Sequence, residues 1–301
     1  MLAVLLLLVA FFSLTSNRFL SVTNLLKILN DTAVVGILAL GMTFVLIIAG
    51  VDLSVGSIVT MTTVVIGTFL VTLPVALPLA LVLGLLTGTL IGLANGLIVA
   101  RLGVPPIITT LGMLSIVQSL ASFITQGAIT SLSDFEPVTF LGAGHVAAIP
   151  VPVVILLGLT AVCHILLTRT SFGARVRGIG TNRRASALMG INVAGYTMAV
   201  YALSGFLASV GGLIVAGRIA ASSSQAGVGL ELPAIASVVL GGTSLFGGSG
   251  SILGTLVGAV ILSVLFTGLI LVGLPFFYQL VATGVVLILA IAFNEALRRI
   301  S

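Results

Sequence analysis

The sequence predicts an all-α membrane protein, a single polytopic helical bundle with about ten transmembrane helices. Hydrophobic residues occupy 59% of the 301 positions, whereas charged residues occupy only 6%. A soluble domain typically carries about 25% charged residues, so a surface this poor in charge is expected to face lipid. The third observation is the length of the apolar segments, since roughly 20 residues cross a hydrocarbon core about 30 Å thick. Residues 1–301 are therefore expected to form one transmembrane domain.

Ten apolar segments follow one another, and each is predicted to be helical. They lie at 2–16, 32–50, 54–72, 75–100, 106–126, 150–168, 193–216, 229–241, 250–271 and 276–294. The first segment lacks the basic start and the cleavage site of a secretory signal, so we expect a membrane helix there. The segment 229–241 is too short to span the membrane comfortably and is expected to be a half-helix.

The positions of the basic residues predict the orientation of the bundle. With ten crossings both termini lie on one side, which we place in the cytoplasm. The inside set is then Arg101, Arg169, Arg175, Arg177, Arg183, Arg184, Arg298 and Arg299, and the outside set is Arg18, Lys27 and Arg218. This excess of basic residues inside follows the positive-inside rule. The net charge of +5 is therefore attributed to topology and not to nucleic-acid binding.

Three pairs of similar segments predict an inverted repeat of five plus five helices. Residues 50–53 resemble 229–232, residues 88–92 resemble 254–258, and residues 103–106 resemble 273–276. Each second copy lies five crossings after the first, and because five is odd the two halves have opposite orientations, a common plan in transporters. The alternative is a chance match between glycine-rich segments.

The segment 50–57, Gly-Val-Asp-Leu-Ser-Val-Gly-Ser, places a carboxylate between two apolar segments. A charge deep in a membrane costs about 2.5–3.5 kcal/mol, so Asp52 needs a helix N-terminus, a partner or water. Asp52 and Ser54 are suited to cap the following helix. We expect a broken helix at a gate, with direct substrate contact less favoured; the alternative is a cap at the membrane surface. Glu231 matches Asp52 in the second half and receives the same two interpretations, near the opposite end of the path.

Neutral polar side chains also lie inside the apolar segments, among them Asn95, Gln118, Gln126, Ser204 and Ser209. Such residues join helices through hydrogen bonds, or they line a path for a hydroxyl-rich solute. The candidates for a translocation path or gate are Asp52, Ser54, Ser57, Asn95, Gln118 and Glu231.

The segment 169–192, called here the basic segment, is the most basic and least apolar part of the chain. Thr181 or Asn182 is suited to cap a short helix that runs through Met189, and Gly190 is suited to end it. A short amphipathic helix on the cytoplasmic side suits docking into a groove of a partner protein. The alternative is a basic loop that only fixes topology.

Several sequence features of enzymes and ion-coupled pumps are absent. There is no GxxxxGK[ST] phosphate-binding loop, so the chain is not expected to hydrolyse ATP by that mechanism. There is no run of intramembrane acids and histidines typical of a proton relay. There is also no set of zinc ligands. We therefore predict no catalytic residue, no metal and no cofactor in this chain.

Five segments, which together cover most of the chain in order, resemble the permease subunits of ribose-type bacterial ABC sugar importers. They are FLSVTNLLKIL (19–29), GMTFVLIIAGVDLSVGSIV (41–59), GLANGLIVARLGVPPIITTLGM (92–113), GARVRGIGTNRRASALMGINV (173–193) and GLELPAIASVVLGGTSLFGGSGSILGTLVGAVIL (229–262).

The resemblance implies a multi-pass protein of the bacterial inner membrane that imports a ribose-like monosaccharide or a related small polar solute. It implies three partners: an ATP-binding subunit that holds ATP and Mg, an extracytoplasmic solute-binding protein, and a second permease copy, identical or paralogous. Relatives also carry autoinducer-2, nucleosides or riboflavin. A secondary transporter coupled to protons or sodium through Asp52 or Glu231 is the alternative of a different class.

The resemblance also implies that the cytoplasmic coupling loop of the family lies within the basic segment. The residues expected to couple to the ATPase are Gly173, Arg175, Arg177, Gly180, Asn182, Arg183, Arg184, Ala185, Met189 and Gly190.

Overall fold

The computed structural model describes residues 1–275 and 277–300, with side chains left out at 290, 291 and 293–300. Phe276 of the third repeat pair, and the side chains of Arg298 and Arg299 that were used for orientation, lie outside the described residues.

α-Helices make up most of the described chain. They are α1 (Leu2–Thr15), α2 (Val22–Ile47), α3 (Val55–Gly67), α4 (Leu77–Arg101), α5 (Pro106–Thr125), α6 (Glu136–Ala143), α7 (Val151–Arg169), α8 (Ser171–Thr181), α9 (Arg183–Leu188), α10 (Val193–Ile219), α11 (Glu231–Leu240), α12 (Ile252–Leu271) and α13 (Phe277–Ile300). A π-helical turn, Thr68–Thr72, extends α3.

Four two-residue strands lie in the connections between helices: β1 (Thr130–Ser131), β2 (His145–Val146), β3 (Ile149–Pro150) and β4 (Ala221–Ser222). β1 pairs antiparallel with β4, with Thr130 opposite Ser222. β2 pairs antiparallel with β3, with His145 opposite Pro150. The β1–β4 pair ties the connection after α5 to the end of α10.

Seven of the described helices are long and apolar enough to cross a membrane: α2, α3 with its π-helical turn, α4, α5, α7, α10 and α12. Three further apolar stretches are shorter, namely Leu2–Thr15, Glu231–Leu240 and Phe277–Leu289. The prediction of an all-α membrane bundle is confirmed. The count of about ten crossings and the inverted repeat stay predictions.

The apolar segments of the sequence correspond closely to helices, with two kinds of difference. α2 begins at Val22 and not at residue 32, because its polar first turns continue the same helix. Two short helices in the polar connections, α6 and α8, were not predicted. Neither carries a long apolar run, so hydropathy alone gives no signal for them.

The long helix α10 lies at the centre and packs against α2, α3 and α4. α2 runs antiparallel to α10, since Asp31 near its start pairs with Arg218 near the end of α10, and Gly41 further along lies against Ser204. The large side chains buried most completely are concentrated on α2 and α3, together with Tyr201 of α10. The core of the bundle is therefore built around α10.

Apolar side chains on the outer helices are exposed on the surface of the bundle. On α4 the exposed set includes Leu86, Leu90, Leu93 and Leu97. Their spacing of three to four residues places them on one helical face. A continuous apolar face of this kind suits contact with lipid chains.

Candidate functional site

The turn between α2 and α3, residues 48–54, is called here the Asp52 turn. Ala49 has a left-handed backbone conformation with φ of +59°, which is uncommon for a residue with a side chain. Gly50 closes the end of α2, because its N–H donates to the Val45 carbonyl at 2.9 Å. A side chain at Gly50 would collide with the Tyr201 hydroxyl. The chain therefore reverses tightly against α10.

The Asp52 carboxylate is fully buried and accepts three hydrogen bonds. Its Oδ1 accepts from the Ser54 hydroxyl at 2.6 Å and from the Ser54 N–H at 3.1 Å, and its Oδ2 accepts from the Ser204 hydroxyl at 2.9 Å. A buried carboxylate is tolerated when its oxygens are hydrogen-bonded. Asp52 therefore joins the turn to α10.

The expected helix cap differs from the observed one. Ser54 is the N-cap of α3, but its side chain makes no capping hydrogen bond to the first turn. Asp52 instead binds the N–H of Ser54 itself, just before the helix begins. The prediction that Asp52 and Ser54 cap α3 is wrong in this respect, because both side chains are used in tertiary contacts.

A second set of contacts joins the Asp52 turn to α4. Asn95 is fully buried and donates from Nδ2 to the Ser54 hydroxyl at 2.8 Å. The Ser57 hydroxyl donates to the Ser54 carbonyl at 2.8 Å. Among the described residues the Oδ1 atom of Asn95 has no hydrogen-bond partner. Four of the six path or gate candidates, Asp52, Ser54, Ser57 and Asn95, therefore lie together.

The Val51 carbonyl of the same turn receives two hydroxyl groups. Tyr201 of α10 and Thr110 of α5 each donate to it at 3.3 Å. Tyr201 and Thr110 were missed by sequence reasoning, because a single hydroxyl inside an apolar helix carries no signal of its partner. The turn is thus bound to α4, α5 and α10.

The other two candidates, Gln118 and Glu231, lie along the non-helical segment 220–230 between α10 and α11. Gln118 of α5 donates from Nε2 to the Ser224 carbonyl at 2.5 Å. The Gly227 N–H donates to the Thr60 hydroxyl at 3.0 Å. The segment therefore runs beside α3 and α5 until α11 begins at Glu231.

Glu231 lies beside Gly56, in the first turn of α3 and directly after the Asp52 turn. The expectation that Asp52 and Glu231 lie near opposite ends of a path is therefore wrong. The first turns of α3 and α11 meet, so the two carboxylates lie in the same region of the bundle. The Glu231 side chain is partly exposed, whereas Asp52 is fully buried.

The basic segment forms two short helices, α8 and α9. Thr170 caps α8, and the Asn182 side chain accepts the Ala185 N–H at 2.9 Å and caps α9. α9 ends at Leu188, and Gly190 follows with φ of +79°. The prediction of a short helix capped at Asn182 and ended by Gly190 is confirmed.

α9 has one buried face and one exposed face. Ser186 is buried, whereas Leu188 and Met189 are 84% and 72% exposed. Arg183 and Arg184 are also exposed. Exposed apolar side chains next to basic ones are chemically suited to contact with a partner.

The remaining residues of the basic segment bind the rest of the bundle. Arg175 donates to the Tyr196 hydroxyl at 2.5 Å and lies over its ring, with 5.6 Å between the guanidinium carbon and the ring centroid. Arg177 donates to the Gly250 carbonyl at 3.4 Å. Gly173 packs against the backbone of α7. These contacts fix α8 to α7, α10 and the connection before α12.

Among the residues that the structure describes, no group of three His, Cys, Asp or Glu side chains could hold a metal ion. One ion pair is found in this part of the chain, between Asp31 and Arg218. Within the described residues, Asp52 and Glu231 are therefore stabilised by hydrogen bonds and packing, and neither forms an ion pair with a basic side chain.

Comparison with known proteins places the chain among permeases. Residues 24–291 match the family described as branched-chain amino acid transport system, permease component. A ribose import permease protein of Haemophilus influenzae is 40% identical over 296 residues, which cover 97% of this chain and 91% of that protein. A ribose import permease protein of Bacillus subtilis is 38% identical over 289 residues, 96% of this chain and 89% of that protein.

A fructose import permease protein of Rhizobium meliloti is 33% identical over 301 residues, covering 98% of this chain and 84% of that protein. No solved structure matches significantly.

Proposed function

The chain belongs to the family of branched-chain amino acid transport system permease components, and from this premise we propose that it is the membrane-spanning permease of an ABC importer for a monosaccharide. The sugar is ribose-like, and the direction of transport is into the cytoplasm. The observation that carries the proposal is the similarity, over nearly the full chain, to permeases named for ribose and fructose import. ATP is bound and hydrolysed by a separate subunit.

The geometry of the Asp52 turn favours an ATP-driven importer over an ion-coupled transporter. Both carboxylate oxygens of Asp52 already accept hydrogen bonds from Ser54 and Ser204, in a site without exposed surface. A coupling carboxylate must exchange its ion with water on each side in turn. Asp52 is instead suited to hold the turn in place.

In the proposed topology the chain crosses the membrane ten times, with both termini in the cytoplasm. The Met1 side chain lies beside Gly242. Gly242 precedes the connection 243–250, which touches α8 of the basic segment through Gly248. These contacts support placing the start of α1 on the same side as the basic segment, which the positive-inside rule assigns to the cytoplasm.

The directions of three helix pairs support an inverted repeat. The Asp52–Ser204 bond and the contact of Gly212 with Thr62 make α3 parallel to α10. α12 lies antiparallel to α2, since the hydroxyl groups of Thr43 and Thr255 meet at 2.7 Å and the earlier Gly36 lies against the later Ala259. α11 packs antiparallel on α12. The helices after Asp52 and at Glu231 therefore point in opposite directions.

The path and gate residues of this proposal are Asp52, Ser54, Ser57, Asn95, Gln118 and Glu231. Asp52, Ser54, Ser57 and Asn95 hold the Asp52 turn against α4 and α10. Gln118 and Glu231 are only partly buried, and Gln118 belongs to α5, which also has an exposed face. That face exposes Gly112, Ser115 and Ser119, and small residues of this kind suit close approach of a second permease copy.

The residues proposed to couple to the ATPase lie in α8, in α9 and at the two ends of α9, and the exposed surface of α9 is central to this proposal. Arg183, Arg184 and Met189 are exposed, and in the proposed topology they present charge and apolar surface to the cytoplasm. A groove on the ATP-binding subunit would receive this helix. The solute-binding protein would dock on the opposite side of the membrane.

Reconstitution in liposomes tests the proposed function. The chain, its ATP-binding subunit and its binding protein are combined, and uptake of labelled ribose, fructose and allose is measured with and without ATP. We expect ATP-dependent uptake of at least one sugar and no uptake when the ATPase subunit is omitted. Uptake driven by an ion gradient through the chain alone would contradict the proposal.

A further inference from the structure

We propose that Gly180 is a positioning residue that fixes α8 to the C-terminal end of α2. As a result, α8, Ile47 and the connection 243–250 move as one unit. A displacement of the basic segment is then transmitted to the Asp52 turn. This inference rests on the proposed function, because the displacement originates in an ATPase that binds α9. The inference names the residue, Gly180, and the junction through which movement of the basic segment is coupled to the transmembrane helices.

The C-terminal end of α2 is closed by another part of the chain. The last carbonyl groups of a helix have no partner within the helix. The Ile47 carbonyl accepts the Gly248 N–H at 2.8 Å. Because Gly248 has φ of +79°, its N–H is presented from a backbone conformation that favours glycine. The connection 243–250 therefore supplies the missing hydrogen bond of α2.

α8 packs directly on this hydrogen bond. A Cβ atom at Gly180 would overlap the Ile47 carbonyl, and it would lie 2.5 Å from the Gly248 nitrogen. Both obstacles are backbone atoms, which cannot rotate away as a side chain can. Only glycine therefore allows α8, α2 and the connection 243–250 to meet at this point.

The same end of α2 leads straight into the Asp52 turn. The turn is bound to α10 through Asp52 and Ser204, and to α4 through Ser54 and Asn95. A movement applied at Ile47 thus reaches helices that lie in the centre of the bundle. The turn is short, and Ala49 and Gly50 already hold it in a tight conformation. It therefore cannot absorb a movement of Ile47 by extending.

A cavity borders the place where α8 meets the Asp52 turn. It has a volume of about 450 Å³ and is lined by Ile179 and Gly180 of α8, by Ile48 and Ala49 of the turn, and by the connection between α4 and α5. This space allows α8 and the turn to move together relative to the connection between α4 and α5. Movement into the cavity would pull on Ile47, because the Gly180 contact does not allow the two helices to separate without losing the packing.

Alanine at Gly180 tests this assignment, with Gly178→Ala as the matched control. Gly178 lies in the same helix, but its added Cβ would meet only the Ser186 hydroxyl at 3.6 Å, an ordinary contact. The measurement is the number of sugar molecules imported per ATP hydrolysed by the reconstituted complex. We expect Gly180→Ala to lower this ratio by about tenfold, within the usual range of coupling between sites, and Gly178→Ala to leave it unchanged. Equal ratios in the two variants would overturn the assignment.

A distance measurement decides the matter if Gly180→Ala does not assemble. Thr181→Cys and Ser249→Cys, in a Cys163→Ala background, place two spin labels on exposed positions of α8 and of the connection 243–250. If α8 and the connection move as one unit, the distance between the labels is the same with and without ATP. A change of this distance when ATP binds to a complex that imports sugar would mean that the two parts slide past each other, and would overturn the proposal.

The wild-type complex separates this inference from the proposed function. If wild type shows no ATP-dependent uptake of any sugar, the proposed function fails. If wild type and Gly178→Ala transport sugar and Gly180→Ala transports equally well per ATP, only the role of Gly180 fails.

Discussion

The Asp52 turn and α9 both carry polar side chains, but they use them in opposite ways. At the turn, Asp52 and Ser54 have no exposed surface and bind each other, Ser204 of α10 and the equally buried Asn95 of α4. In α9, Arg183 and Arg184 are exposed, and the segment is held by its cap and by the contacts of α8. The buried group fixes helices inside the chain, whereas the exposed group is available to a partner.

This difference separates stability from partner binding. Leaving a buried polar group without its partner costs about 1–3 kcal/mol of folding free energy, whereas a substitution on an exposed surface usually changes stability by about 0.5 kcal/mol or less. Variants in the turn should therefore alter stability and transport together. Variants on α9 should alter transport alone.

The largest effect is expected from reversing both exposed charges, in Arg183→Glu with Arg184→Glu. Placing like charges across an interface costs several kcal/mol, so ATP-dependent uptake should fall about a hundredfold while the melting temperature stays that of wild type. Copurification of the ATP-binding subunit and uptake are measured side by side. Arg101→Glu, an exposed arginine at the end of α4, is the control for lost positive charge. Normal complex formation in the double variant would show that α9 is not the dock.

Asp52→Ala is expected to have the next largest effect, and it should act on both properties. The hydroxyl groups of Ser54 and Ser204 lose their acceptor, so the unfolding free energy should fall by about 2–4 kcal/mol. Because the turn also loses its bond to α10, uptake per inserted molecule should fall by about tenfold, within the usual range of coupling between sites. Melting of the purified protein and uptake per membrane-inserted molecule are the two measurements.

Asp134→Ala is the matched control, since Asp134 is an exposed carboxylate in the connection between α5 and α6. The amount of Asp52→Ala protein in the membrane should not fall, because the insertion penalty of the charge is removed. If Asp52→Ala has the melting temperature and the uptake of wild type, the hydrogen bonds of the turn have no role in stability or transport.

Much of the fold follows from hydropathy, because a helix that faces lipid must be apolar over about 20 residues. The ends of α4, α5, α7 and α10 agree with the apolar segments within a few residues. The early start of α2 was missed, since Asn24 and Asp31 interrupt the apolar pattern although Asn24 is buried and Asp31 pairs with Arg218. Partners distant in sequence, not local composition, decide whether such polar residues lie inside a helix.

The candidate site also contains some residues whose roles follow from the local sequence and others whose roles depend on distant partners. Asn182 was predicted as a cap because capping is a contact between residues three apart. Asp52 was predicted because a carboxylate between two apolar segments is unusual wherever it lies. Its partner Ser204 lies more than one hundred residues away, and the role of Gly180 depends on the Ile47 carbonyl of another helix. Neither contact has a local pattern, so neither could be read without the structure.

The smallest effect is expected at Asn182, where the exposed helix depends on a single side chain. Asn182→Ala removes the acceptor of the Ala185 N–H, and loss of a cap costs about 1 kcal/mol of helix stability. If the ATP-binding subunit binds only folded α9, the lost helix stability lowers the affinity for that subunit by about fivefold. Uptake measured at a limiting concentration of the ATP-binding subunit should fall by the same factor. Asn182→Ser, which retains a capping oxygen, should stay close to wild type. Because α9 contributes little to the core, the melting temperature should be the same in both variants. A large fall in melting temperature in Asn182→Ala would mean that α9 belongs with the buried turn, and the contrast between the two regions would no longer hold.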